Sequence, residues 1–336
     1  MLNKNKITSL AALRGIAVIA VCFCHFSKPA ENGIYFSGVF KWIEDNGKYG
    51  LHVFFVISGF VIPYSLEKSR YAFGDYPRFL YKRFLRLHPP YLAALALTLF
   101  IAEVSYRSRH LPNPENLNSI LRSLFYLHAP ADNPVFWSLQ IEAEYYLFIG
   151  LYFILIKKFP FVAIALGIPL LAVLSQTSLV NYCGLFNFMV FFLIGTVGFL
   201  IYNKPSKPWL EQALLVFLLA FCFLFYQQGA AIAALFTISV ILYVNKSFHS
   251  VLEHPGEISY SLYLIHFPIG IKFMNLMMRA SHGAYAWWLF AGAFLLSYVF
   301  AWMFWRLIER PCIKLSHKIK YAAVHPAVVA LPVQSL

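Results

Sequence analysis

Charge is what this sequence has least of. Only 12% of its 336 residues are Asp, Glu, Lys or Arg, about half the share usual in a soluble globular domain, and the acidic residues number just 14. With 60% hydrophobic residues and a mean hydropathy of +0.65, the chain has too little polar side chain to cover a water-soluble globule. Cysteine is scarce as well. Cys22, Cys24, Cys183, Cys222 and Cys312 follow neither a zinc-type spacing nor a disulfide framework, so the sequence predicts no metal site and no stapled fold. There is no G-x-S-x-G elbow, which removes the usual signature of a serine hydrolase. Internal repeats and a second domain are missing too.

What the sequence has is apolar length. A hydrocarbon core about 30 Å thick takes about 17 to 25 apolar residues to cross as a helix. Segments 8–27, 49–65, 88–104, 135–156, 159–177, 184–202, 209–227, 229–246, 258–278 and 285–308 fit. The fold class expected is an all-α integral membrane protein of about ten transmembrane helices, with both termini inside. Residues 1–313 form the transmembrane domain and 314–336 a short, loosely ordered inner tail. The formal charge of +13 follows the positive-inside rule. With the N-terminus inside, the inner segments, Lys4, Lys6, Lys204, Lys207 and Lys246 among them, hold over twice as many lysines and arginines as the outer ones. Lipid therefore accounts for the basic balance, and nucleic acid is not a predicted partner. Arg14 interrupts the first apolar run and no small-residue cleavage site follows, so this run is read as a retained span and not as a signal peptide.

Against this background a few polar residues stand out. The stretch LRGIAVIAVCFCH carries Arg14 and His25 eleven positions apart, almost three helical turns, so both lie on one face with about 16 Å between them. Ionisable groups inside a span usually face a protein interior or a water-filled cavity. The polar outer segment 27–48 brings Glu31, Glu44 and Asp45. The second span contains Ser58-Gly59, small enough for close helix approach, and Pro63, expected to kink or end it. In the inner segment 66–87, YKRFLRLHPPY sets Arg83 and Arg86 on one face just before Pro89 and Pro90. Two readings stand for these arginines, a topological anchor and a phosphate clamp. The longest loop, 105–134, contains NLNSILRSLFYLHA, which lies at the interface or re-enters. The fourth span, FWSLQIEAEYYLF, brings Glu142, Glu144 and Tyr146 into an apolar helix, and the ninth, EISYSLYLIHFPIG, carries His266 near mid-depth. Segment 159–250 has almost no intramembrane charge and reads as scaffold.

Counting 1.5 Å per residue sets His25 and Glu142 at comparable outer-leaflet depths, with Asp45 in the adjoining segment. Their convergence would make a general base, an imidazole oriented by a carboxylate. The bland alternative is a histidine at the headgroup boundary. Arg14 lies deeper, and Arg83 and Arg86 lie at the inner mouth. A line of positive charge leading to an outer-facing base predicts an anionic donor entering from inside. A coenzyme A thioester fits, because its nucleotide carries phosphates and its pantetheine arm is long.

In these residues the chain resembles the acyltransferase-3 family of membrane-bound acyltransferases, which includes bacterial O-antigen and exopolysaccharide O-acetyltransferases. The resemblance runs over nearly the whole chain. It rests on LRGIAVIAVCFCHF with Arg14 and His25, GLHVFFVISGF with Ser58, RFLR from Arg83 to Arg86, FWSLQIEAEYY with Glu142 and Tyr146, SYSLYLIHFP with His266, and the closing ERP of Glu309 to Pro311. It implies ten core spans in a bacterial inner membrane, acetyl-CoA or another acyl-CoA as donor, and a carbohydrate or lipid-linked glycan hydroxyl as acceptor. His25 is then the catalytic residue, with Glu142 or Asp45 orienting it. Direct attack on the thioester and a covalent acyl-histidine both remain open. His52 stands where family members often have an acidic residue. The resemblance implies the stand-alone form without a fused extracytoplasmic domain, so any second acyl-transfer step needs a partner. Two rivals come from other classes. A transporter or flippase commonly shows paired repeats with broken helices, which this sequence lacks. A non-catalytic acyl-CoA-binding membrane protein would need no acceptor.

Overall fold

Apolar runs of this length, with backbone groups that lipid cannot satisfy, leave the α-helix as the available structure for a single chain that does not close into a barrel. The protein was described from a computed structural model covering residues 9–30, 37–203, 209–244, 250–281 and 285–321. Lys4, Lys6, Glu31, Lys204, Lys207, Lys246 and the tail beyond Tyr321 lie outside the described residues. Among the described residues there is no strand. The helices in chain order are α1 (Ser9–Ala30), α2 (Ser37–Gly47), α3 (Gly50–Lys68), α4 (Tyr76–Ser108), α5 (Leu117–Leu124), α6 (Trp137–Lys158) and α7 (Ile168–Leu174). They continue with α8 (Met189–Asn203), α9 (Trp209–Phe225), α10 (Gln228–Tyr243), α11 (Ser250–Glu257), α12 (Ser259–His266), α13 (Lys272–Ala280), α14 (Ala286–Phe304) and α15 (Arg310–Lys318).

Among the described residues, six stretches are long and apolar enough to cross a membrane: Ser9–Ala30, Gly38–Lys68, Phe73–Ser108, Pro134–Lys158, Gly184–Asn203 and Ala286–Lys318. Three more of the expected segments form shorter apolar helices, Val162–Leu174, Trp209–Phe225 and Gln228–Tyr243. The segment expected at 258–278 is interrupted, because α12 stops at His266 and a π-helical turn, Phe267–Ile271, leads into α13.

Several expected boundaries are corrected by helix continuity. Pro63 neither ends nor breaks α3, which runs on to Lys68. A proline at 63 leaves the carbonyl of residue 59 without its helical donor, and the Thr196 hydroxyl of α8 supplies one to Gly59 O at 3.2 Å. Most of the polar segment 66–87 is helical, since α4 starts at Tyr76 and continues through Pro89 and Pro90. The outer segment 27–48 likewise contains α2, and the inner tail is helical as far as Lys318. The long loop folds back along α4. Tyr91 Oη donates to Ser123 O and His88 Nδ1 meets Tyr126 Oη at 3.0 Å, so α5 sits about 22 Å along the axis from Tyr106, near the far end of α4. Asn116 starts α5 with a reciprocal cap, its Oδ1 accepting Ser119 N and its N–H donating to Ser119 Oγ, both at 2.9 Å.

Two apolar cores result. One joins α3, α6, α8, α9 and α10, and its tightest contact is between α3 and α8. A Cβ on Gly59 would lie 2.1 Å from Phe192 O, and one on Gly195 would lie 2.1 Å from Val56 O, so the two backbones touch with no room for a side chain. The other core joins α1, α4, α12 and α14. Between them is a cavity.

Candidate active site

The cavity holds about 980 Å³ free of protein atoms, open solvent included. Arg14 enters from α1, Phe54 and Ser58 from α3, Arg83 and Arg86 from α4, and Ser138, Glu142 and Tyr146 from α6. Tyr260 and Tyr263 of α12 and Glu309, in the π-turn before α15, complete the wall. Helical spacing explains the convergence on α4 and α6. Arg83 and Arg86 are neighbours three apart, and Glu142 and Tyr146 are neighbours four apart, with Tyr146 Oη donating to Glu142 Oε1.

The cations are gathered but not paired. Arg14, Arg83, Arg86 and Glu142 lie within electrostatic reach of one another. Among the described residues, however, no ion pair involves any of the three arginines. Arg83 is 6% exposed, its guanidinium 5.4 Å from the Phe79 ring centre and 5.6 Å from that of Tyr146. Its Nε has no hydrogen-bond partner. A buried donor on a cation is costly to leave unsatisfied, and aromatic faces offset that cost only in part. An anionic group with several acceptor oxygens would remove the remainder, which is the chemistry of a phosphate.

His25 stands apart from this wall. It is half-buried near the outer end of α1, its ring 5.3 Å from that of His266 and 4.8 Å from that of Phe267. Of the residues expected to converge on it, neither Glu142 nor Asp45 does so. Glu142 faces the arginines. Asp45 lies on exposed α2, 3.3 Å from Lys41 one turn earlier, while the acidic residue within electrostatic reach of His25 is Glu44. The reason is the helix itself: when residues 37–47 coil, Glu44 and Asp45 both come within reach of Lys41, at 3.4 and 3.3 Å, while Cys24 Sγ of α1 donates to the Glu44 backbone carbonyl at 3.2 Å. Ser58 and Tyr146 line the cavity, and His266 is fully buried beside His25. His52 lies against Phe191 at 4.5 Å and is not among the lining residues.

Rings connect the cavity to the histidines. Tyr263 lines the cavity, its ring lies 5.9 Å from that of His266, and its hydroxyl is held by Ser138 Oγ at 2.6 Å and Val135 O at 2.9 Å. Tyr260, Tyr263 and His266 recur every third residue, a spacing that marks a shared helix face in the sequence. Glu309 was missed as a site residue. Its buried Oε2 accepts from Ser261 N at 3.1 Å and Ser261 Oγ at 2.5 Å, tying the start of α12 to the end of the last span. The available signal was a glutamate, Glu309, beside Arg310 at the close of an apolar span.

Comparison with known proteins adds the following. Residues 7–306 match a family model described as an acyltransferase domain. The chain is 26% identical over 299 residues to ORF330 of Acidianus two-tailed virus, an acetyltransferase by name only, with 79% of this chain and 84% of that protein covered. No solved structure matches.

Proposed function

The chain belongs to this acyltransferase family, and from that premise we propose that it transfers an acetyl or other short acyl group from acyl-CoA to a hydroxyl of a carbohydrate or lipid-linked glycan. It is a membrane protein by its apolar helices and its family, and the proposed setting is a bacterial inner membrane, with both termini inside. The observation that carries the donor assignment is the set of unpaired arginines, Arg14, Arg83 and Arg86, around one cavity. In this reading they bind the phosphates of the donor, and the pantetheine arm runs from the cavity toward His25 past Phe54 and Tyr263.

The chemistry proposed is direct transfer. His25 takes the proton of the acceptor hydroxyl, whose oxygen attacks the thioester carbonyl. The tetrahedral intermediate then expels the coenzyme A thiolate, breaking the C–S bond, and the thiolate takes up a proton. General-base removal of that proton contributes about 10² to 10⁴ in rate. Glu142 and Tyr146 sit with the arginines, so their part is on the donor side. Single-turnover transfer of labelled acetyl from acetyl-CoA, by the purified protein with host membranes as the acceptor pool, tests the reading. Label in a carbohydrate or lipid-glycan fraction with release of free thiol is expected; a donor that binds without releasing thiol would overturn it.

A further inference from the structure

No carboxylate is hydrogen-bonded to His25 among the described residues: Glu44, within electrostatic reach of it, and Asp45 both pair with Lys41, and Glu142 faces the arginines. The residue beside His25 has what is needed. His266 is 0% exposed, with its Nδ1 2.8 Å from Tyr263 O and 3.2 Å from Leu262 O. Carbonyl oxygens only accept, so Nδ1 carries the proton and Nε2 of the neutral ring is an acceptor. That Nε2 is buried and has no hydrogen-bond partner. A buried polar atom without a partner is uncommon and costs stability.

Four aromatic rings surround His266: His25, Phe26, Tyr263 and Phe267. The two phenylalanines have no polar hydrogen, and the Tyr263 hydroxyl is engaged by Ser138 and Val135. His25 remains. With ring atoms about 1.15 Å from the ring centre, an imidazole-to-imidazole hydrogen bond of about 3.0 Å separates two centroids by about 5.3 Å. The observed separation is 5.3 Å.

We infer that His266 is the positioning residue of the base: the two rings stand at hydrogen-bonding separation with the bond not formed in this structure, and when His25 turns a ring N–H toward it, Nε2 of His266 accepts that N–H, which fixes the His25 tautomer and leaves the other ring nitrogen to take the proton of the acceptor. This rests on the acyl-transfer reading above. A neutral partner suits the location, because a carboxylate there would be a further charge inside a span, whereas two neutral rings in apolar surroundings make a strong hydrogen bond without one. The carbonyl tether on Nδ1 holds the accepting nitrogen in place.

Two variants separate the accepting nitrogen from the tether. His266→Asn keeps an amide N–H near Nδ1 and has nothing at Nε2, whereas His266→Gln reaches Nε2 with an amide oxygen and gives up the Nδ1 tether. Each is purified in nanodiscs and assayed for acetyl transfer from acetyl-CoA to host membranes, with kcat, the acetyl-CoA KM and the folded fraction measured. The expected result is a kcat loss on the order of ten- to a hundredfold in His266→Asn, as for a misplaced catalytic group, at unchanged KM, with His266→Gln retaining most of the turnover. An Asn variant as fast as the parent, or a Gln variant as slow as the Asn one, overturns the inference. If His25→Ala transfers acetyl as fast as the parent, the general-base role of His25 and this inference both fail; a parent protein that transfers no acetyl sinks the acyl-transfer reading itself; loss in His25→Ala with no loss in His266→Asn removes only the positioning role.

Discussion

Around Gly59 and Gly195 the backbones of α3 and α8 press together, and the Thr196 hydroxyl there bonds to Gly59 O and Phe192 O. Around Arg14 and His266 the chain does the reverse, holding helices about a cavity with a guanidinium nitrogen and an imidazole nitrogen unpartnered. The first region gains from contact alone, since lipid offers helices little hydrophobic incentive to associate and close packing of small residues supplies it. The second gives up stability for polar groups that wait on a ligand or on each other. One half fixes the geometry that the other half uses.

The contrast is broken most severely from the packed side. Gly195→Leu drives a side chain into the carbonyl of Val56, and because that atom is backbone it can move only by separating the helices. Overpacking of this kind costs about 1 to 3 kcal/mol or more, so most of the protein should be lost from the folded fraction in a thermal-denaturation or gel-filtration assay in detergent. Activity per folded molecule should stay near normal. A fully folded Gly195→Leu would show that the two backbones can part freely.

On the cavity side the expected losses are of function and not of fold. His25→Ala should lower turnover by about 10² or more while acetyl-CoA affinity and folded yield hold, as measured by thiol release and equilibrium binding. Next come the arginines. A hydrogen bond to a charged group is worth about 1.5 to 3 kcal/mol, so Arg83→Ala and Arg86→Ala should each weaken coenzyme A binding by about tenfold or more, and added salt should narrow the gap to the parent. Equal affinity in both variants would return these residues to the role of topological anchors.

The smallest effect belongs outside the spans, where Glu115 holds the re-folded loop. Burial raises its carboxyl pKa, but hydrogen bonds from Ser119, the Ala131 N–H and His128 outweigh that and lower it below the usual 4.5. The Ala131 N–H reaches Oε1 and His128 Nε2 reaches Oε2, both at 3.0 Å. A depressed carboxylate contributes stability that is complete above its unfolded value and is lost as pH falls through the folded one. Exchange protection of the Ala131 amide should therefore be flat above pH 4.5 and drop below it, and Glu115→Gln should lose part of that protection at neutral pH. Protection that does not change with pH or with this substitution would remove Glu115 from the support of the loop.

Much of the helical class was legible because period and apolar length are local properties. Among the described residues, six stretches have the length and hydropathy of spans, and Arg83 and Arg86 met in one cavity because three residues always return to the same helix face. The boundaries were not legible where a proline suggested a stop. Whether Pro63 breaks a helix depends on a hydroxyl from Thr196, more than a hundred residues away. The placement of Arg14, Ser58, Glu142 and Tyr146 together follows from spacing within spans and from which spans meet, and the latter is only partly encoded locally. Asp45 shows the opposite failure. Depth alone put it near His25, while a local i,i+4 partner, Lys41, decides where it points. The place of Tyr263 and Glu309 on the cavity wall was not legible, because their bonds to Ser138 and Ser261 cross between elements.

The π-turn that follows His266 also carries a consequence for what sequences this fold tolerates. Such a turn behaves as one residue inserted into an α-helix, and each residue of helix corresponds to about 100° of rotation. The five residues Phe267–Ile271 thus act as a phase shifter: α12 and α13 follow one another along the chain, yet the faces they offer are offset by the extra residue. Deleting one residue within 267–271 would restore ordinary α period without changing the composition. It would also swing His266 about a quarter-turn relative to α13, where Lys272 is anchored to Asp132 at 2.5 Å. The length of this short stretch, more than the identity of its side chains, sets the angle at which the two imidazoles meet.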